Sequence, residues 1–217
     1  MTLKLVVGSK AYSSWSMRPW MALAHFHIPF EEVVVPLYRP DTRERLLEFS
    51  SSGKCPVLID GSTVVWESLA ILEYVAEFYP RKAIWPRAKA ARSMARAMAT
   101  EMHAGFPALR ERCPAQFARG VRKLELTPAV EAEVARIERL WGAARAKYGK
   151  AGPFLFGRFC AADAMFAPVV NRLHIYDIPV SAETRAYGEA IRALPAWKAW
   201  VADAEAETWR HQAYEAL

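Results

Sequence analysis

The sequence predicts a small α/β domain followed by an all-helical domain. Strand and helix signals alternate through the first eighty of the 217 residues. Asp60-Gly61 sits between two short β-branched runs, a hairpin signal. After Pro80 no strand signal returns, and alanine-rich segments with helical periodicity take over. The change of pattern falls in 81–87, "RKAIWPR", a charged and proline-interrupted stretch that reads as a linker. Domains are therefore expected at 1–80 and 88–217, with no internal repeat.

"LKLVV" (3–7), ended by Gly8, reads as a first strand. Met17, Trp20, Met21, Leu23, Ala24 and His27 recur at helical spacing across 16–27, and Pro29 stops the helix. "EEVVV" (31–35) is a second strand. Asp41, with Glu44 three residues on, predicts a capping box opening a second helix. "PVLI" (56–59) and "TVVW" (63–66) form the hairpin. Ile71, Tyr74, Val75 and Phe78 share one face of a helix over 67–78. The order is βαβαββα, a parallel start followed by an antiparallel hairpin. A long helix begins near Ala88, and Pro107 and Pro114 are placed to bend or end it. Thr127-Pro128 supplies an N-cap with proline at the first helical position. Behind it Val130, Val134, Ile137, Trp141, Ala144 and Tyr148 trace one apolar stripe. "GPFLFGRF" (152–159) reads as a loop, and helices are expected at about 161–174, 181–193 and 196–206.

Composition narrows the function. Hydrophobic residues make up 53%, enough for a sizeable core. The formal charge is +6, but the basic residues are scattered. They come with no helix-turn-helix, zinc-finger or RNA-binding aromatic pattern, so no nucleic-acid partner is expected. A solvated basic face accounts for them, or a preference for small anionic ligands. Cys55, Cys113 and Cys160 are distant from one another and odd in number, which predicts reduced thiols and a cytoplasmic setting. The five histidines lack ligand spacing, so no metal is expected. The opening "MTLKLVVGSK" has no long apolar signal region, and no run reaches membrane-spanning length.

Residues 11–20, "AYSSWSMRPW", place adjacent hydroxyls where a strand hands over to a helix. Ser13 and Ser14 have two readings there. They cap the helix, or a hydroxyl and the free N–H groups of the first turn await an anion.

The layout resembles the cytosolic glutathione transferase family over nearly the whole chain. Four segments in order carry the resemblance. "SSWSMRPWMAL" (13–23) is similar to the serine motif of the zeta class. "GKCPVL" (53–58) is similar to a segment with a cis-proline, with Cys55 where valine is usual. "WESLAILEYV" (66–75) resembles the Glu-Ser segment that holds the γ-glutamyl end of glutathione. "FCAADAMFAPVVNRL" (159–173) resembles the capped helix of the C-terminal core. The fold implied is a thioredoxin-like N-terminal domain and a helical C-terminal domain.

The resemblance also implies the chemistry. Lowering a thiol pKa by about two units from about 8.5 needs about 2.7 kcal/mol of preferential thiolate stabilisation. A serine hydroxyl and a helix N-terminus supply such terms. Ser13 and Ser14 are the catalytic candidates. Direct matching to the zeta-like motif favours Ser13, and counting back from Arg18 points to Ser14. Tyr12 is a further candidate, and Arg18 reads as a structural tie to the second domain. Glutathione, the co-substrate, is expected against Glu67, Ser68, Lys54 and the Cys55–Pro56 peptide. A cis Pro56 would expose the N–H and C=O of Cys55 to the ligand's backbone. Cys55 thus acts through backbone geometry, with a mixed disulfide as the other reading. Trp15, Met102, His103, Phe106 and Arg110 are candidate walls of an electrophile pocket; a stripe of that kind also reads as core. Cys160 stands where the family's helix cap is Ser or Thr, so the box with Asp163 is expected to be half-formed.

Conjugation of glutathione to a small electrophile, or peroxidase activity, follows from these residues. Isomerisation of maleylacetoacetate is the alternative suggested by the class, although Trp15 replaces its usual cysteine. A non-catalytic member acting as a ligand carrier or stringent-response partner is the other class of function. A homodimer is implied, with Trp66 and Tyr74 facing the partner.

Overall fold

The computed structural model describes residues 2–215. Its first domain is a four-stranded sheet in the order β2-β1-β3-β4. β1 (Leu3–Gly8) pairs in parallel with β2 (Phe30–Val35), from Leu3 opposite Phe30 to Gly8 opposite Val35. It pairs antiparallel with β3 (Val57–Asp60), which turns through Gly61 into β4 (Thr63–Trp66). Gly61 takes φ +58°, a left-handed value that glycine adopts without steric cost. As an inner strand β1 is apolar on both faces. Leu5 and Val7 join the main core with Leu58, while Val6 packs with Val35, Val57 and Leu46 in a smaller one. Leu46 belongs to α2 (Thr42–Leu47), and α1 (Ser14–His25) and α3 (Ser68–Phe78) cover the other face. The βαβαββα order read from the sequence is the order observed.

The second domain is helical: α4 (Lys89–Ala104), α5 (Pro107–Arg112), α6 (Pro128–Tyr148), α7 (Ala161–Ile175), α8 (Ala182–Ala193), α9 (Pro195–Ala206) and α10 (Gln212–Glu215). Pro107 starts a separate short helix after Gly105, so the predicted break in the first long helix falls there. Thr127 caps α6 through Val130 N–H, and the stripe from Val130 to Ala144 is buried. α7 runs through the centre of this domain and packs against both α4 and α1. Trp141 of α6 meets Phe166 of α7 at 5.5 Å and Tyr187 of α8 at 4.6 Å between ring centroids.

Three local expectations change. α1 begins at Ser14, two residues early, because Ser13 supplies the cap. Asp41 makes no side-chain cap bond to α2. The Thr42 hydroxyl fixes that turn instead, donating to the Pro36 carbonyl at 2.7 Å and accepting from Arg39 N–H at 2.9 Å. At α7 both arms of the capping box form. Cys160 N–H donates to Asp163 Oδ2 at 2.9 Å, and the Cys160 sulfur accepts from the Asp163 N–H. A sulfur acceptor reaches further than a hydroxyl, which closes the arm expected to stay open.

Asp163 is fully buried, and its Oδ1 also accepts from Leu155 N–H at 3.0 Å and from the Tyr187 hydroxyl at 3.1 Å. Burial pushes its pKa up to about 6, against those hydrogen bonds, from an ordinary 3.8. Below the unfolded value the carboxyl is protonated in both states. Between about pH 4 and pH 6 the unfolded chain releases this proton first, so the group's contribution to stability falls as pH rises. The stability difference between the protein and Asp163→Asn, from urea midpoints, should therefore move against the wild type by up to about 3 kcal/mol across that window. A difference that grows with pH would refute the assignment.

Candidate glutathione-binding site

The site is built on the first turn of α1. Ser13 is the N-cap: its Oγ accepts from Ser16 N–H at 3.3 Å and donates to Ser16 Oγ at 2.8 Å. Ser16 Oγ in turn accepts from Gly8 N–H at 3.0 Å. A Cβ at Gly8 would fall 2.7 Å from a Leu37 methyl and 2.8 Å from Cys55 Sγ, so a larger residue here would push the Leu37 and Cys55 side chains out of place. Burial pushes the Cys55 thiol up, while hydrogen bonds with the Ser16 and Ser13 hydroxyls and Gly8 oppose the shift. The Ser13 hydroxyl is thus engaged inside the protein. Ser14 is the first residue of the helix, and its hydroxyl makes no hydrogen bond among the described residues.

Two cavities meet at Trp15. The larger, about 440 Å³, is lined by Trp15, Ser52, Lys54, Cys55, Pro56, Trp66, Glu67 and His103. The Cys55–Pro56 bond is cis. Glu67 sits at φ +72°, a conformation costly for a residue with a side chain and common where function holds the backbone. Its carboxylate lies 3.6 Å from His103 Nε2. Burial, Arg18 and Arg110 lower the His103 pKa, against the pull of Glu67, so the ring is neutral near pH 7. The second cavity, about 190 Å³, is lined by Tyr12, Ser14, Trp15, Arg110 and Arg172, with Tyr38, Tyr214, Pro114 and Ala115.

Trp15 is held by cations. The Arg18 guanidinium lies 4.0 Å from its ring centroid and that of Arg110 4.9 Å, with the His103 ring edge-on at 5.1 Å. Arg18 is fully buried, and its Nη1 donates to Ser68 Oγ at 3.4 Å while Nε and Nη2 have no hydrogen-bond partner among the described residues. Burial, then Arg110 and Arg172, hold its pKa well below the usual arginine range, opposed by Glu67.

The structure therefore brings Lys54, Cys55, Pro56, Glu67, Trp15 and His103 around one cavity, and Ser14, Trp15, Arg110 and Tyr12 around the other. It does not place every candidate there. Met102, on the inner face of α4, and Phe106, in the turn before α5, are core residues lining neither cavity. The Ser68 side chain is buried beneath the site and meets Arg18, leaving the N–H groups of the first turn of α3 for a ligand. Arg172, Tyr38, Tyr214, Ser16 and Ser52 escaped the sequence reading. Arg172 had a visible signal, an arginine on a helix that is otherwise almost wholly apolar. Ser16 lies within the serine motif itself, and the others come from loops or distant segments that only the fold brings near.

Residues 12–77 match the family model of the glutathione S-transferase N-terminal domain, and 127–203 that of the C-terminal domain. A probable maleylacetoacetate isomerase of Caenorhabditis elegans is 32% identical over 106 residues, covering 49% of this chain and 50% of that protein. Glutathione S-transferase F10 of Arabidopsis thaliana is 38% identical over 65 residues, 30% of each chain. These matches thus span about half or less of the curated relatives' length. Among solved structures, a glutathione transferase homologue from Burkholderia with bound glutathione superposes with a TM-score of 0.70. It is 24% identical and is covered over 100% of its length by 95% of this chain. A diazinon-metabolizing glutathione S-transferase of the silkworm Bombyx mori gives 0.73 at 18% identity, covering 94% of this chain and 98% of that one. At these identities the structures establish the shared fold. With both domain models of one family matched in chain order on the two domains of this fold, the chain belongs to the glutathione S-transferase family.

Proposed function

We propose that the protein is a glutathione transferase, binding glutathione in the larger cavity and activating its thiol at the Trp15 boundary. The observation that carries this is the Ser14 hydroxyl, uncommitted at the N-terminus of α1 beside the junction of the two cavities. The larger cavity has the size of a small-molecule site. In this reading Glu67 accepts from the ligand's α-amino group, and the first turn of α3 receives its γ-glutamyl carboxylate. The Cys55 backbone pairs with the cysteinyl residue, and Lys54 meets the glycine carboxylate.

The sulfur then lies against the first turn of α1. Ser14 donates to it, the helix dipole favours the charged form, and Arg18 and Arg110 add positive potential. The thiolate attacks the electrophilic carbon in the second cavity. A C–S bond forms, and the bond to the leaving group breaks with its electron pair. This assigns the two serines different work. Ser13 caps and Ser14 reacts, against the direct motif matching that favoured Ser13.

The isomerase reading is supported by the names of the C. elegans relative and of a 32%-identical relative from Vibrio cholerae. The indole of Trp15, walling both cavities, favours conjugation over it. Detoxification in the cytoplasm fits the three unbridged cysteines, since reduced thiols are usual in a reducing compartment.

The protein should be retained on immobilised glutathione at physiological salt and turn over a screen of electrophiles. Ser14→Ala should still bind glutathione but raise the bound thiol's pKa by about one to two units, the loss of one charge-assisted donor. Ser13→Ala should lower stability and shift that pKa less. Ultraviolet titration of the bound thiolate reads both, and an unmoved pKa in Ser14→Ala would remove the assignment.

A homodimer is proposed on the exposed Trp66 and Phe78 beside Tyr74, apolar side chains clustered on the hairpin and α3. Sedimentation at micromolar concentration should show twice the chain mass. A monomer there would refute it.

A further inference from the structure

The second cavity has a chemistry of its own. Arg110 and Arg172 both line it, and no aspartate or glutamate among the described residues does. Arg172 is 4% exposed, with Nε donating to the Cys113 carbonyl at 2.8 Å and Nη1 to that of Pro168 at 3.1 Å. Arg110 donates through Nε and Nη2 to the carbonyls of Gly105, Met102 and His103. These bonds clamp both guanidinium groups and leave Nη2 of Arg172 and Nη1 of Arg110 unbonded among the described residues. Neither forms an ion pair with a carboxylate there, Glu133 acting on Arg110 only from a distance, and the nearby Arg18 is likewise without an ion pair.

A buried cation without a counter-charge is costly, and fixed guanidinium groups match a carboxylate's geometry. Burial lowers the Arg172 pKa to about 10, and repulsion by the neighbouring Arg110 adds to the shift. An anion between them removes the repulsion and uses the unbonded donors. The rest of the wall is aromatic. The Tyr12 and Tyr214 rings stack at 5.6 Å, Tyr38 meets Tyr12 edge-on at 6.0 Å, and Trp15 closes the side toward the larger cavity. The volume of about 190 Å³ is little more than the roughly 150 Å³ cavity that takes benzene.

We infer that the second cavity selects a co-substrate of single-ring size that carries a carboxylate, the carboxylate held by Arg110 and Arg172 and the ring by Tyr12, Tyr38, Tyr214 and Trp15. This rests on the glutathione reading only in the word co-substrate. The binding site itself stands on the cavity.

The test is calorimetric titration of the unmodified protein with benzoate, with its neutral isostere benzamide, and with acetate. Benzoate should bind at least about tenfold more tightly than either, the size of effect expected for charge-assisted hydrogen bonds and for the ring's burial. Arg110→Met should remove the preference of benzoate over benzamide. Equal affinity for benzoate and benzamide would overturn the inference, as would no binding of benzoate. Equal affinity for benzoate and acetate would overturn the ring-sized part. Repeating the benzoate titration with saturating glutathione separates the two readings. Unchanged benzoate affinity places the ligands in different cavities and supports the inference. Competition would assign the arginines to glutathione itself and overturn it. Absence of glutathione binding, with benzoate still selected, would remove the transferase reading alone.

Discussion

The geometry of the site depends on one short chain of hydrogen bonds, from Gly8 N–H to Ser16 Oγ and from Ser13 Oγ to the same oxygen. It ties the end of β1 to the first turn of α1. Because successive helical residues point about 100° apart, fixing Ser13 and Ser16 inward sends Ser14 and Trp15 toward the cavities. The same network receives Cys55 Sγ, which sets the loop before Pro56 against the strand end. Loss of the Gly8 contact would disturb three segments together, since strand end, helix start and cis-proline loop share it.

Domain docking holds the same loop from the other side. The Lys10 and Ala11 N–H groups donate to the Glu207 carboxylate at 2.6 and 3.0 Å. The Lys10 side chain is 3% exposed and bridges Glu32 of β2 at 2.7 Å and Asp203 of α9 at 2.6 Å. Its ammonium lies over Trp20 and Trp200. A buried ammonium with two carboxylates and two indole faces is well compensated, unlike Arg18, Arg110 and Arg172. The Lys10 charge that holds the domains together is ion-paired, while Arg18, Arg110 and Arg172 form no ion pair among the described residues, although Glu67 and Glu133 lie near enough to act on Arg18 and Arg110. That contrast separates the structural cations of this protein from the ones available to a ligand.

Much of the fold was legible because its signals are local. Asp60-Gly61, the β-branched runs and the stripe of α6 each report on residues near in sequence, and each element formed as read. The cavity linings were legible where a motif is also local: Lys54, Cys55 and Pro56, or Ser14 and Trp15. Arg172 and Tyr214 reach the second cavity from α7 and from the segment after α9, and neither announces its direction in sequence. Met102 and Phe106 show the converse. Their spacing was compatible with a wall or a core, and only the fold, with Met102 packed from α4 and Phe106 from the turn before α5, decides for the core. Cys160 failed as a prediction for a chemical reason, since propensity ranks thiols low as caps while sulfur's reach completes the box.

The choice between Ser13 and Ser14 shows why motif matching and geometry can part. A motif aligns residue types, and both positions hold the same type, so alignment cannot separate a cap from a donor. Hydrogen-bond accounting can. The N-cap must offer its side chain to the helix's free N–H groups, and Ser13 does so through Ser16. A hydroxyl has one proton, and that of Ser13 goes to Ser16 Oγ. To donate to a sulfur, Ser13 would have to give up this bond and leave a buried oxygen short of its donor. Ser14 faces no such exchange, since its proton has no protein acceptor among the described residues. On the proposed reading, the donor for an arriving anion is therefore Ser14, whose proton the fold has not already used.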